Sequence, residues 1–142
     1  MNIMDVGEIK LMIDYGHNRP AVEAISEILD DLTEGEKIVV CQGTGNRSVE
    51  DIIDFGRGIG STYDRVMIND SDPRYRKKGE TAELVKQGVL EAGLPEDRIT
   101  VILEEIDSID AGLKMAKKGD LLVVQPCEIQ KVIAHIQSKT KE

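Results

Sequence analysis

The chain of 142 residues is long enough for one domain with a single core. Its net charge of −9 argues against a nucleic-acid surface, because such surfaces are basic. No apolar run approaches the roughly 20 residues of a membrane helix, and the first ten residues lack the apolar segment of a signal peptide. Two cysteines without a C-x-x-C spacing indicate reduced thiols. We therefore expect a cytoplasmic protein without nucleic-acid or membrane partners.

Short apolar segments alternate with longer amphipathic ones along the chain. The apolar segments predict β-strands at residues 9–14, 38–41, 66–69, 100–103 and 121–125. The amphipathic segments predict helices whose apolar faces span residues 21–32, 49–56, 82–92, 106–116 and 129–136. Residues 2–4 are expected to pair back on residues 9–13 through a turn at residues 5–7. This order predicts a three-layer, Rossmann-like α/β fold, with helices on both faces of a mostly parallel sheet of about six strands, the first of them short and antiparallel.

Polar loops follow the predicted strands at the edge where ligands bind in such sheets. The loops are residues 14–19, 43–47 and 70–74, and a weaker candidate is residues 125–128. We therefore expect a binding site to be built from these loops.

The first loop allows two interpretations. Asp14 can hold a ribose or a metal-bound water and His17 can meet a phosphate, because Pro20 suits the first turn of a helix whose free N–H groups favour anions. Alternatively, Asn18 caps this helix and Asp14 serves a turn. Local chemistry leaves both interpretations open.

The next two loops carry charges that suit an amino-acid ligand. Arg47 follows two glycines and can pair with a carboxylate, while Asp72 and Arg74 offer opposite charges to a zwitterion. A structural salt link between Asp72 and Arg74 is the alternative. The sequence lacks a Walker A loop, a G-x-S-x-G elbow, a G-x-G-x-x-G after the first strand and a His–Cys cluster for zinc.

Three motifs carry a family likeness. Residues 14–18 read D-Y-G-H-N and precede Arg19 and Pro20, which resembles the D-Y-A-H-N-P motif that opens the C-terminal domain of the Mur ligases and their relatives, the folylpolyglutamate and cyanophycin synthetases. Residues 45–47, G-N-R, resemble the G-D-R of that family. Residues 70–74, D-S-D-P-R, resemble the D-D-N-P-R of its diaminopimelate-adding member.

Within this family the likeness is strongest to the C-terminal part of cyanophycin synthetase. It is carried by residues 63–88, 92–109 and 117–126. The peptidoglycan ligases have G-K-G-H-E after the last strand, whereas this chain has Q-P-C-E at residues 125–128. The resemblance therefore favours the cyanophycin-synthetase branch.

The resemblance implies an ATP-dependent ligase that forms an amide through an acyl phosphate, with arginine as the expected incoming amino acid. It assigns Asp14, His17 and Asn18 to ATP, and Arg47, Asp72 and Arg74 to the amino acid. It assigns no catalytic residue and no metal ligand to this chain. ATP and Mg²⁺ would be held mostly by a central P-loop domain that this chain lacks.

Residues 1–142 are thus expected to form a Mur ligase C-terminal domain, a fragment of a longer ligase that is inactive alone. Two departures matter: Arg19 is one residue more than the family motif has, and Asn46 replaces the acid of G-D-R. They leave open a catalytically silent binding or regulatory module with the same fold. The C-terminal domain of another Mur-type ligase is a further alternative, and so is a flavodoxin-like domain whose polar corners are only caps and turns.

Overall fold

The computed structural model describes residues 2–16 and 18–140, so His17 lies outside the described residues. The strands are β1 (Asn2–Val6), β2 (Ile9–Ile13), β3 (Lys37–Cys41), β4 (Arg65–Ile68), β5 (Ile99–Val101) and β6 (Leu121–Val124). The helices are α1 (Arg19–Ala24), α2 (Ser26–Leu32), α3 (Val49–Thr62), α4 (Glu80–Glu91), α5 (Glu105–Met115) and α6 (Ile129–Thr140). A 3₁₀ turn at Glu96–Arg98 precedes β5. Strands and helices therefore alternate as the apolar pattern predicts.

The six strands form one sheet in the order β1-β2-β6-β3-β4-β5. The pair β1–β2 is antiparallel, and the other pairs are parallel. The predicted fold class is confirmed. The predicted pairing of the first residues with β2 is also confirmed, but β1 continues to Val6. The turn lies at Gly7 and Glu8 instead, because Gly7 adopts the left-handed conformation that this turn requires (φ 61°).

Helices cover both faces of the sheet. Alternate strand residues such as Met12 and Val123 pack in one cluster with residues of α1 to α4, and the intervening ones such as Leu11 and Val124 pack in a second cluster with α5 and α6. Burying each aliphatic side chain contributes about 1.5–3 kcal/mol. Strands that are apolar on both faces are thus explained by two cores of one sheet.

The first predicted helix is two helices in the structure. Ile25 separates α1 from α2 and accordingly serves as C-cap of one and N-cap of the other. Val22 and Leu29 lie seven residues apart on either side of the break, and both pack in the same cluster. The apolar spacing is therefore preserved across the break and gives no sign of it.

The parallel strands β2 to β6 all end at the same edge of the sheet, which we term the carboxyl edge. The polar loops after β2, β3, β4 and β6 leave the sheet there. The strand predicted at residues 100–103 is one residue earlier and shorter, as β5 ends at Val101. Within residues 2–16 and 18–140, no helix is long and apolar enough to cross a membrane.

Candidate functional site

A cleft of about 400 Å³ opens at the carboxyl edge of the sheet. It lies between the loops that follow β3, β4 and β6. Its lining residues are Gln42, Thr44, Asn46, Arg47, Asp72, Arg74, Pro126, Cys127 and Ile129. The structure thus brings together Arg47, Asp72 and Arg74, three residues that the sequence assigns to one ligand.

The loops after β3 and β4 form one continuous wall of this cleft. Gly45 N donates to Asp72 O over 2.9 Å. The guanidinium of Arg76 donates from Nε to Gly45 O (3.1 Å) and from Nη2 to Arg47 O (3.0 Å). A Cβ on Gly45 would lie 2.0 Å from Pro73 O, so a side chain at this position would force the loops apart. Glycine is therefore required by the contact between the loops.

The charges of the cleft are unevenly paired. Arg74 Nε donates to Asp72 Oδ1 over 2.6 Å, and Arg74 adopts a left-handed backbone (φ 54°) that non-glycine residues rarely occupy. The salt link that is one of the two alternatives for this pair is present, and both residues also line the cleft. Arg47 makes no side-chain hydrogen bond or ion pair with any residue that the structure describes. Its guanidinium is available to a carboxylate ligand.

Gln42 lies at the base of the cleft, directly after β3. Its side chain is nearly buried, with 5% of the residue exposed. Its Oε1 has no hydrogen-bond partner within the described part of the chain. A buried amide oxygen without a partner is rare in folded proteins. Sequence reasoning missed Gln42, because it reads as the polar end of an apolar strand.

The third wall is the start of α6, which a buried carboxylate holds. Glu105, 7% exposed, accepts from Cys127 N (2.6 Å) and from Glu128 N (3.2 Å). These N–H groups precede α6 and have no partner within that helix. Burial, with a smaller contribution from Glu105, raises the pKa of the Cys127 thiol to about 11. Cys127 is therefore protonated at neutral pH and behaves as an apolar part of the wall.

Asp14 and Asn18, two of the residues assigned to ATP, are not part of the cleft lining. Asp14 Oδ1 accepts from Gly16 N over a long 3.4 Å, and Asp14 Oδ2 is buried without a partner among described residues. Asn18 Oδ1 accepts from Ala21 N (2.9 Å) and caps α1, which is the structural alternative for this residue. The assignment of His17 concerns a residue that the structure does not describe. Asp14 leaves the carboxyl edge beside the cleft, one strand beyond β6.

Asp14 belongs to a buried polar row that the sequence does not reveal. The register pairs Ile13 with Val124, so Asp14 and Gln125 follow side by side. Gln125 is fully buried, and neither polar atom of its amide has a partner in the described chain. Burial, and secondarily Asp14, raises the pKa of Tyr63, whose hydroxyl also lacks a partner. Gln125 precedes the cleft wall, so this row joins the loop after β2 to the cleft.

The acid that begins the third loop serves α4 instead of the cleft. Asp70 is fully buried, and its Oδ2 accepts from the backbone N of Gly79, the N-cap of α4. Gly79 has φ 99°, which a residue with a side chain rarely adopts. Nor does any group of three or more His, Cys, Asp or Glu side chains within residues 2–16 and 18–140 have the placement to hold a metal ion.

Comparison with known families agrees with the motifs at the carboxyl edge. The family model of the Mur ligase glutamate ligase domain matches residues 1–127. The chain belongs to this family. The cyanophycin synthetase of Nostoc sp. (strain PCC 7120 / SAG 25.82 / UTEX 2576) is 31% identical over 138 residues, which cover 96% of this chain and 15% of the synthetase. The chain therefore spans less than a sixth of this relative's length.

Solved structures of Mur-type ligases share the fold. A UDP-N-acetylmuramoyl-L-alanyl-D-glutamate–2,6-diaminopimelate ligase superposes with a TM-score of 0.81 at 15% identity, over 99% of this chain and 31% of that one. E. coli FolC in complex with ADP, without folate substrate, superposes with a TM-score of 0.67 at 18% identity, over 94% of this chain and 31% of that one. At these identities the likeness establishes the fold alone.

Proposed function

We propose that this Mur ligase C-terminal domain contributes the amino-acid site of an ATP-dependent, amide-forming ligase of the cyanophycin-synthetase type. The cleft would bind the incoming amino acid, and arginine is the expected one. The observation that carries this proposal is the cleft that Arg47, Asp72 and Arg74 line together. The likeness to a cyanophycin synthetase along 96% of the chain supports the ligase type.

The polar groups of the cleft suit the two charges of an amino acid. Arg47, which has no ion pair within the described residues, would take the α-carboxylate through two parallel N–H bonds. Asp72 bonds to Arg74 through Oδ1 alone, so its Oδ2 would accept a hydrogen bond from a cationic group of the ligand. A volume of about 400 Å³ accommodates a ligand of this size.

The loop after β2 would face ATP, which supplies the phosphoryl group that activates the acceptor's carboxylate. FolC, a neighbour in fold, is solved in complex with ADP. Asp14 can accept from a ribose hydroxyl through Oδ1, whose present bond to Gly16 is long. Asn18, although it caps α1, keeps its amide N–H groups for a ligand. With His17, these residues form the proposed nucleotide side of the domain.

Catalysis would need a second wall that this chain does not contain. Holding the phosphates and Mg²⁺ falls, in this proposal, to a central P-loop domain, and the reaction requires both walls to orient the groups and exclude water. The chain covers 15% of the Nostoc synthetase, which leaves room for such a domain in that relative. The partners proposed are therefore ATP, arginine and a P-loop ligase domain.

The amino-acid site is tested by titrating the chain with arginine in calorimetry and in thermal melts. Binding to the folded state raises the melting temperature. Arg47→Met removes the free guanidinium, and we expect it to weaken arginine binding at least about tenfold, the loss expected for a charge-assisted hydrogen bond. Lys77→Met removes a charge from an exposed residue of the β4–α4 loop outside the cleft lining and is the matched control.

Two outcomes would contradict the proposal. Arginine that leaves the melting temperature of the wild-type chain unchanged at millimolar concentration would exclude an amino-acid site on this domain. Equal affinities of the Arg47→Met and Lys77→Met variants would place the site elsewhere. A different result would favour the catalytically silent binding module, namely that the chain binds arginine but its complexes purified from cells contain no P-loop domain. The observation in favour of that module is Asn46, which replaces the acid of the family motif in the cleft lining.

A further inference from the structure

Gln42 lines the cleft and carries an unpaired hydrogen-bond acceptor. The residue is 5% exposed, and its Oε1 has no partner in the part of the chain that the structure describes. The same residue belongs to the cleft lining. Its backbone lies between β3 and the glycine-containing loop that carries Arg47, so its position is fixed by the sheet. The backbone of Gln42 thus keeps this acceptor next to the cleft, without a partner among the described residues.

The polar groups that line the cleft include both hydrogen-bond donors and hydrogen-bond acceptors. Arg47 is a guanidinium without an ion pair among described residues. Asp72 has one oxygen bonded to Arg74 and the other outside any hydrogen bond within the described chain. Together with Gln42 Oε1, Asp72 Oδ2 makes a pair of acceptors. A ligand that satisfies both kinds of group carries a carboxylate and N–H donors.

We propose that Gln42 determines which amino acid the cleft accepts, by selecting side chains that end in N–H donors. The inference rests on the proposed function, since it assumes that an amino acid occupies the cleft. An N–H group of the ligand pairs with Gln42 Oε1 and relieves an unsatisfied buried oxygen. A ligand whose side chain is apolar and of the same length leaves that oxygen unpaired and out of reach of water. Sites with such a buried polar group discriminate most strongly against ligands that lack the matching hydrogen-bonding group.

The experiment compares the affinities of arginine and norleucine for the full chain and its variants by calorimetry. Gln42→Met keeps the length of the side chain but has no amide. We expect it to fold, because losing an unsatisfied buried polar group is neutral or stabilising. Gln42→Glu keeps an acceptor at this position. Gln87→Met makes the same replacement as Gln42→Met at an exposed residue of α4 and is the matched control.

We expect Gln42→Met to lower the preference for arginine over norleucine about tenfold or more, mainly because it lowers the affinity for arginine. Gln42→Glu and Gln87→Met should retain the preference. If arginine binds and depends on Arg47, but the preference is unchanged in Gln42→Met, this inference fails while the proposed function stands. If the wild-type chain binds no amino acid, both fail together.

Discussion

The thiol of Cys127 lies in a wall of the cleft, beside the carboxylate that holds the start of α6. Burial raises its pKa to about 11, and the pKa of the fully buried Cys41 is raised to about 12 for the same reason. A raised thiol pKa means that the thiolate, the reactive form, is scarce until the pH approaches that value. Neither cysteine is therefore expected to act as a nucleophile at neutral pH.

At the residue scale, we predict that iodoacetamide alkylates Cys127 slowly at pH 8. With a pKa of about 11, about one thiol in a thousand is ionised, compared with about one in four for a free cysteine. The rate should be roughly two orders of magnitude below that of glutathione and should rise up to about pH 11. Mass spectrometry of the alkylated peptides measures it.

The Cys127→Ser variant gives the background, which comes from Cys41 alone. Saturating arginine should slow the reaction of Cys127 further, because the thiol lines the cleft. Alkylation of Cys127 at the rate of glutathione at pH 8 would show that the wall is open to solvent.

Residue types on loops could be predicted, but side-chain burial could not. Arg47, Asp72 and Arg74 stand out because charged residues follow strand ends, and strand ends meet at one edge. Gln42 and Glu105 owe their roles to the exact register of β3 and to a contact between loops far apart in sequence. A single sequence carries no signal for either.

At the scale of elements, the closest helix pair is α3 with α4. Gly56 and Gly88 let their backbones meet: a Cβ on Gly88 would lie 2.0 Å from Ile53 O and 2.8 Å from Arg57 N. Both are backbone atoms of α3, so they cannot move without separating the helices. Glycines in the middle of these helices thus have a packing reason that outweighs their low helix propensity.

We predict that Gly88→Ala destabilises the fold by about 1–3 kcal/mol, the range for overpacking a close contact. The free energy of unfolding in urea measures it. The control is Gly112→Ala in α5, where the new Cβ would meet methyl groups of Leu122 and Val40 at 3.1 and 3.2 Å. These methyl groups can shift, and alanine gains about 1 kcal/mol of helix propensity. Equal losses in the two variants would exclude backbone contact as the cause.

The order and type of the elements could be predicted, whereas their interruptions could not. Apolar spacing marks each strand and helix, and the turn at Gly7 is recognisable within two residues. The break at Ile25 has no glycine or proline to mark it, and the side chains on either side keep their period. Periodicity reports which face is buried and not whether every residue is helical.

At the scale of the molecule, the two edges of the sheet have different roles. The carboxyl edge carries the cleft, and the opposite edge carries ion pairs between loops. Glu36, just before β3, bonds to Arg98 (2.6 Å) and lies 3.6 Å from Arg65 at the start of β4. These contacts link the segments at the starts of β3, β4 and β5. Substitutions there should change stability and leave the cleft intact.

We predict that Glu36→Gln lowers the melting temperature at pH 7 by about 1–4 °C, as expected for a partly exposed ion pair. The hydrogen bond from Arg98 holds the pKa of Glu36 below its usual value. Its stabilisation is therefore complete above the unfolded-state pKa and is lost as the pH falls through the folded-state pKa. The difference between wild type and variant should vanish in acid.

Melting curves between pH 3 and 8 test this expectation. Glu34→Gln, at an exposed residue of the same loop, is the control. A deficit of the Glu36 variant that persists unchanged at pH 3 would show that the charge is not its cause. Arginine binding at the far edge should be the same in both variants.

The hydrogen bonds that join the loops after β3 and β4 affect how a ligand would bind in the cleft. The backbone N–H of Gly45 donates to Asp72 O, and the guanidinium of Arg76 donates to Gly45 O, so the two loops are tied together. The cleft is therefore preformed, and a ligand that binds there would restrict little additional loop motion. Binding at this cleft should therefore be quick, because the two loops need little rearrangement.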